Sequence, residues 1–185
     1  LKKRQLQTAA ELFEKAVEDY PNDASAQLLY ALTLCRISPN SEAVEQIEKA
    51  VSMAPDSLSI IKKATKALNK AKRPYRALKI LEKFLAKHDS HAELFSQYSN
   101  MGLQAGWYWE GFTAMRRAIE LEPSTLQRRI GLARLLYNLR DYDAAEEILK
   151  PVFDGDQKAS TESYYLHAEI LKEMGNFEKA IEAIN

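Results

Sequence analysis

AAELFEKAVEDYP, at residues 9–21, carries the two signals from which the fold of the chain can be predicted. Its apolar residues take the i, i+1, i+4 and i+5 positions that form one face of an α-helix, namely Leu12, Phe13, Ala16 and Val17. Pro21 then ends the helix, because proline lacks an N–H and its ring clashes with the preceding turn. The stretch predicts an amphipathic helix that stops at a defined residue.

The same marks return along the chain at a fixed interval. Pro21 and Pro55 are separated by one interval of about 34 residues, and Pro123 lies two such intervals beyond Pro55. Small residues repeat with the same period in two series: Ala9, Ala43, Ala77, Gly111 and Ala145, and then Ala16, Ala50 and Ala118 with Phe84 in the gap. A small residue at a fixed helical position indicates a close helix–helix crossing, since a larger side chain would push the axes apart. The period predicts an array of repeats.

Each repeat is predicted to contain two amphipathic helices followed by a short break. RALKILEKFLAKHD (76–89) and AAEEILKPVFDGD (144–156) show the arrangement of the first stretch again. No alternating apolar and polar pattern of useful length, as a half-buried β-strand would show, occurs in the chain. The sequence therefore predicts an all-α protein.

A two-helix repeat of this period with small, aromatic and proline marks resembles the tetratricopeptide repeat. The clearest match is Gly175-Asn-Phe177-Glu-Lys-Ala180, which corresponds to the turn between the two helices of that family. Further matches are Ala9, Phe13, Ala16 and Pro21 in the first unit and Tyr142 and Ala145 in the fifth. The third unit lacks the loop proline, and the second has SPNSEA in place of a Gly-x-Tyr turn. The resemblance implies a solenoid of antiparallel helix pairs, wound as a right-handed superhelix with a concave groove.

The resemblance also implies that residues 1–185 form a single array. The expected units are 1–23 (partial), 24–57, 58–91, 92–125, 126–160 and 161–185 (partial), with one extra residue in the loop DGDQKAS of the fifth. Because both ends cut a unit and no polar capping element is visible, we expect a fragment of a longer protein. The chain also begins without Met.

Composition excludes several classes of protein. Twenty-six Lys and Arg balance 26 Asp and Glu, so net charge predicts neither a nucleic acid nor a membrane surface as the partner. Cys35 is the only cysteine, so no disulfide can form within the chain. No apolar run approaches the roughly 20 residues that span a bilayer, and no signal peptide is visible. We expect a cytoplasmic location without membrane insertion, although a periplasmic or other compartment stays open because the native N-terminus is missing.

No residue pattern in the chain predicts catalysis. His88, Asp89 and His91 have the spacing of a metal half-site but no third ligand nearby, so we interpret them as solvated loop residues. Cys35 lies on a predicted helix without an activating histidine, and His167 takes a position that is apolar in the family. Phosphate-binding, dinucleotide-binding and metalloprotease motifs are missing. The expectation is a protein that is not an enzyme and that has no catalytic, cofactor or metal site.

Charge is concentrated in one unit. Residues 58–91 contain ten Lys and Arg against two acidic residues, a net charge of +8, so the remaining residues sum to −8. Lys62, Lys66 and Lys70 are spaced i, i+4, i+8 and share one stripe of the first helix. The resemblance implies that first helices line the groove, from apolar Leu28, Leu29 and Leu32 through the lysines and Gln97 and Gln104 to acidic Glu162 and Glu169. The predicted partner-binding residues are Lys62, Lys63, Lys66, Lys70, Asn100, Arg134 and Tyr137.

The function predicted from this surface is a non-catalytic interaction scaffold, whose groove binds an extended, acidic peptide or partner protein in a multiprotein assembly. The plainest alternative is a solvated lysine face neutralised by Glu45 and Glu48. A second alternative is RNA or polyanion binding, which is disfavoured because the basic face is confined to one unit. A third is an oligomerisation or regulatory arm of an enzyme encoded elsewhere in the parent chain. Homo-oligomers through the uncapped repeat ends also stay open.

Both tryptophans lie in QAGWYWEG, residues 104–111. The repeat pattern places Gly106 in the turn between two helices and Tyr108 under that turn, while Gly111 takes the small crossing position. Trp107 and Trp109 fall where the family is normally polar. Tyr75 is the equivalent of Trp109 one unit earlier, so we expect an aromatic ridge, with a second contact surface formed by the two tryptophans as the alternative.

Overall fold

The structure is a computed structural model that describes residues 2–153 and 159–184, and these residues form helices without a strand. The α-helices are α1 (Lys2–Asp19), α2 (Ala24–Ile37), α3 (Ser41–Met53), α4 (Leu58–Lys70), α5 (Pro74–Leu85), α6 (Ala92–Gln104), α7 (Tyr108–Leu121), α8 (Leu126–Asn138), α9 (Tyr142–Leu149), α10 (Thr161–Glu173) and α11 (Phe177–Glu182). A 3₁₀ turn (Lys150–Val152) follows α9. The predicted all-α fold is confirmed.

The contacts divide the chain into two compact units. The first consists of Leu1–Asp89 with Asn100–Trp107, and the second of Ser90–Ser99 with Tyr108–Asn185. In the first, α2 packs against α1 and α3, and α4 packs against α5. In the second, α8 packs against α9, and α10 packs against α11. Most of the loop predicted to hold an extra residue, 154–158, lies outside the described residues.

Small and branched side chains form the core of each unit. Ala43 and Ala77 of the first small-residue series are fully buried, and Ala145 is fully buried in the second unit. Leu81 of α5 and Leu149 of α9 are also fully buried. This burial agrees with the close helix crossings expected from the repeated small residues.

Helices begin where short polar side chains can satisfy free backbone N–H groups. The Asp23 carboxylate accepts hydrogen bonds from the N–H of Ser25 at 2.7 Å and of Ala26 at 3.3 Å. Asn40 caps α3 through the N–H of Ala43 at 2.9 Å. Such caps are each worth about 1 kcal/mol relative to alanine.

One turn geometry recurs between the two helices of four pairs. The turn contains a residue with a positive φ in each: Lys72 (58°), Gly106 (84°), Arg140 (62°) and Gly175 (80°). The next N–H then reaches back to the helix, as from Arg73 to the carbonyl of Leu68 at 2.9 Å. This is the Schellman arrangement, which favours glycine because a Cβ is strained at positive φ. Lys72 and Arg140 therefore occupy positions that suit glycine better.

Candidate partner-binding surfaces

The lysine face of α4 follows from the way this helix packs. It buries Ile60, Ile61, Ala64, Thr65 and Leu68, so the remaining positions face outward. Lys66 and Lys70 lie on the outward side with Lys63, and Lys62 is half-buried. Within the part of the chain that the structure describes, Lys63, Lys66 and Lys70 make no ion pair. The helix thus presents a cluster of cations in which three have no acidic partner.

One of the two carboxylates expected to neutralise these lysines, Glu48, is bonded to a residue of another helix, whereas Glu45 is exposed. Glu48 of α3 accepts a hydrogen bond from the Arg76 guanidinium of α5 at 2.7 Å. The same bond, helped by the charges of Glu48 and Glu45, raises the pKa of Arg76. Glu48 therefore forms an ion pair between α3 and α5, and among the described residues it does not pair with the lysines of α4.

Leu29 and Lys63 occupy equivalent positions of successive repeats, as do Leu32 and Lys66. Leu29 is exposed and Leu32 is half-buried. The expectation for Leu28 was wrong: it is 2% exposed and belongs to the core of α2. Because α2 and α4 pack against each other, the apolar patch formed by Leu29 and Leu32 on α2 lies on the helix next to the lysine face of α4.

Asn100 is the equivalent of Lys66 on the next first helix, one repeat later. Its side chain is exposed near the C-terminal end of α6. Gln97, one turn earlier, is half-buried, and its Oε1 is buried without a hydrogen-bond partner among the residues that the structure describes.

In the second unit the predicted binding residues are surrounded by carboxylates. Arg134 donates a hydrogen bond to Glu162 of α10 at 2.6 Å. Tyr137 packs against the Tyr142 ring with centroids 5.7 Å apart. Burial raises the pKa of Tyr137, and the charges of Glu169 and Glu173 raise it further. An acidic ligand would meet a paired arginine and unfavourable charge here.

The aromatic residues of QAGWYWEG have different surroundings. In the first unit, Trp107 meets the Tyr75 ring edge to face, with centroids 5.3 Å apart at 85°. In the second unit, Trp109 stacks on Phe112 at 6.1 Å and stays 73% exposed. Tyr108 was expected to pack under the turn, but it is 54% exposed, so that expectation was wrong. The aromatic contact of Tyr75 is with Trp107, and not with Trp109, which is its equivalent one repeat later.

The remaining candidates for chemistry lie in packing roles. His88 is half-buried and was wrongly expected to be a solvated loop residue. Its ring lies tilted against Phe84 with centroids 4.4 Å apart, and its Nε2 is 3.2 Å from the Asp56 carboxylate. His167 stacks on Phe153 at 4.8 Å. Burial raises the pKa of the Cys35 thiol, which disfavours the nucleophilic thiolate. In residues 2–153 and 159–184, no three His, Cys, Asp or Glu side chains come together to hold a metal ion.

The α10–α11 pair exposes apolar side chains around a cleft. Tyr164, Tyr165 and Ile184 line this cleft, and Phe177 and Ile181 are exposed on α11. The homo-oligomer predicted through the repeat ends stays a prediction. None of the described helices has the length and apolar character needed to cross a membrane.

Comparison with known proteins agrees with a solenoid of helix pairs. Models of the tetratricopeptide repeat match residues 1–57 and 161–185. The TPR repeat-containing protein YpiA of Bacillus subtilis (strain 168) is 23% identical over 168 residues, which cover 91% of this chain and 39% of that protein. The chain thus spans less than half of the length of this relative.

Solved structures share the fold at low identity. YrrB, a TPR protein with an unusual peptide-binding site, superimposes with a TM-score of 0.70 and 22% identity, covering 95% of this chain and 90% of that one. PilF of Pseudomonas aeruginosa gives 0.67 and 18%, covering 99% and 83%. MamA of Desulfovibrio magneticus RS-1 gives 0.65 and 19%, covering 80% and 84%. Residues 1–57 and 161–185 are thus similar to tetratricopeptide repeats, and proteins built from this repeat are generally non-catalytic scaffolds for protein interactions.

Proposed function

We propose that this chain is a protein-interaction module that binds an extended, acidic segment of a partner protein across the first helices of its first unit. The observation that carries the proposal is the cluster Lys63, Lys66 and Lys70, which lacks an acidic partner within the described residues. Carboxylates of the partner would relieve the repulsion within this cluster, and complementary charge of this kind gives specificity and fast association.

The apolar patch of Leu29 and Leu32 supplies the anchor for the same segment. It takes the equivalent positions one repeat before Lys63 and Lys66, so an extended peptide crossing both helices meets apolar side chains first and cations second. Asn100 offers an amide at the next equivalent position. Arg134 and Tyr137 are secondary in this proposal, because Arg134 is paired with Glu162 and Tyr137 lies among carboxylates.

The test uses a fluorescein-labelled synthetic peptide with a leucine pair followed by a run of glutamates, and measures its Kd by fluorescence anisotropy. Lys63→Glu/Lys66→Glu is expected to weaken binding about tenfold or more, which is a loss of about 1.4 kcal/mol. Lys15→Glu/Lys49→Glu makes the same change of net charge on α1 and α3 and is the matched control. Affinity should also fall as salt rises from about 50 to about 500 mM, because exposed charges are screened.

Three outcomes would contradict the proposal. One is an unchanged Kd in Lys63→Glu/Lys66→Glu, and another is an equal loss in the control variant. The third is equally tight binding of a labelled single-stranded RNA, which would support the polyanion alternative.

A further inference from the structure

A cleft lies between α3 and α5, the second helices of two successive pairs in the first unit. Its volume is about 980 Å³. Apolar side chains line it from both helices and from the loop after α3, among them Val51, Pro55, Ile80 and Phe84. The lysines of the α4 face do not line it. A concave apolar surface of this size is able to receive the side chains of a peptide.

Two charged bridges connect the walls of the cleft. Arg76 on α5 bonds Glu48 on α3 at 2.7 Å. Beyond the C-terminal end of α5, Lys87 and His88 contact the Asp56 carboxylate at 3.5 and 3.2 Å. Arg76 and Lys87 are about three helical turns apart in sequence, or roughly 16 Å along a helix. These bridges cross the cleft at two points and engage both acidic residues that line it.

Lys79 and Lys83 remain between the two bridges on the α5 wall. They are one helical turn apart and line the cleft. Lys79 lies over the Tyr75 ring at 5.4 Å, and neither lysine makes an ion pair in the part of the chain that the structure describes. The cleft thus combines apolar side chains with a cationic edge, whose two lysines make no ion pair with the described residues.

We propose that the α3–α5 cleft is a second docking site, which takes an acidic amphipathic segment of a partner protein. Apolar side chains of the segment pack on Val51, Ile80 and Phe84, and two carboxylates one helical turn apart bind Lys79 and Lys83. A nucleic acid fits less well, because phosphates would meet the apolar side chains and the carboxylates of Glu48 and Asp56. This site is separate from the α4 face and does not depend on the function proposed for it.

The probe is a fluorescein-labelled synthetic helix with leucines along one face and glutamates one turn apart beside them. Its Kd is measured by anisotropy against the wild type, Lys79→Glu/Lys83→Glu, Lys63→Glu/Lys66→Glu on the α4 face, and the matched control Lys15→Glu/Arg36→Glu, whose residues are exposed and do not line the cleft. Reversal in the cleft is expected to weaken binding about tenfold or more, and the control less than about twofold. A scrambled peptide of the same composition should bind far more weakly, because its leucines no longer share a face.

Ser52 permits a test in both directions without touching the core. It is exposed, lines the cleft from α3, and its hydroxyl bonds the Lys49 carbonyl within its own helix. Ser52→Glu is expected to weaken binding and Ser52→Lys to strengthen it, each by roughly two- to fivefold. Circular dichroism confirms that every variant is folded before its Kd is compared.

Trp107 gives an independent measure of occupancy, because its ring contacts Tyr75, which lines the cleft. In a Trp109→Phe background, the Trp107 emission should change along the same curve as the anisotropy. Unchanged affinity in Lys79→Glu/Lys83→Glu and Ser52→Glu would overturn the proposal, as would equal binding of the scrambled peptide. If only Lys63→Glu/Lys66→Glu weakens binding, the helix binds the α4 face; this result overturns the cleft proposal and supports the other one.

Discussion

Lys66 and Arg134 occupy the same position of the first helix, two repeats apart, and have opposite surroundings. Lys66 lies on a face where it, Lys63 and Lys70 make no ion pair within the described residues. Arg134 is bonded to Glu162 at 2.6 Å. In the same unit, burial and the charges of Glu169 and Glu173 raise the pKa of Tyr137. The position alone therefore does not decide whether a cation can bind a ligand. The charges of the neighbouring helix decide it.

Equivalent core positions of the two units should respond alike to substitution, in contrast to Lys66 and Arg134. Leu81 and Leu149 are also two repeats apart, and both are fully buried. We expect Leu81→Ala and Leu149→Ala each to lower the free energy of unfolding by about 2–5 kcal/mol, because each leaves a cavity in a close-packed core. Urea denaturation followed by circular dichroism measures this.

The control for these substitutions is Glu82→Ala, which changes an exposed neighbour and should alter stability by less than about 0.5 kcal/mol. Leu81 lies in the first unit and Leu149 in the second. If the two units unfold separately, the denaturation curve has two phases, and each substitution should shift only the phase of its own unit. A loss below about 1 kcal/mol in either variant would mean that the core equivalence of the two repeats is wrong.

The turns provide the next comparison, because Lys72 and Arg140 take positive φ where Gly106 and Gly175 do so in other pairs. A non-glycine residue at positive φ is strained by roughly 1–2 kcal/mol, and substitution by glycine removes this strain. Glycine also raises the conformational entropy of the unfolded chain, which offsets part of the gain in stability. Lys72→Gly and Arg140→Gly should therefore each raise the free energy of unfolding by about 0.5–1 kcal/mol. Gly106→Ala is the reverse change and should lower it; a stability loss in both glycine variants would contradict the strain argument.

How far the sequence predicts this molecule differs between its parts. The repeat period and the small residues predict the helix pairs, because burial and close crossing restrict which residues fit. Lys72 and Arg140 give no sign of a positive φ, since the backbone there is set by the two helices around it. The Arg134–Glu162 pair and the α3–α5 cleft depend on contacts between side chains of different helices, and a periodic pattern does not contain such contacts. The burial expected for Tyr108 was wrong, because the pattern fixes its position on the helix and not how closely its neighbours pack around it.

Neutralising the two equivalent cations should change stability in opposite directions. Lys66→Gln removes repulsion with Lys62 and Lys70 and should raise the free energy of unfolding by about 0.2–0.5 kcal/mol. Arg134→Gln removes an exposed ion pair and should lower it by at most about 1 kcal/mol. Both effects should shrink at about 1 M salt. If Arg134→Gln and Glu162→Gln lower stability additively when combined, the 2.6 Å contact contributes nothing, and the contrast with Lys66 disappears.

The smallest expected effect is a difference in acid sensitivity between the units. Burial against Phe153 lowers the pKa of His167 below its ordinary 6.5, although Glu146 opposes this shift. The folded state therefore disfavours the protonated ring, so the second unit loses stability as pH falls below 6.5 toward the lowered pKa. In the first unit, the hydrogen bond from His88 and the charge of Lys87 lower the pKa of Asp56 below 3.8. Ionised Asp56 therefore stabilises the first unit at all pH values above about 3.8, and this stabilisation is lost only at more acidic pH. Thermal melts at about pH 7.5 and pH 5.5 measure this effect. The melting midpoint should fall less between these pH values in His167→Gln than in the wild type. Equal drops in the midpoint would show that protonation of His167 is not linked to folding.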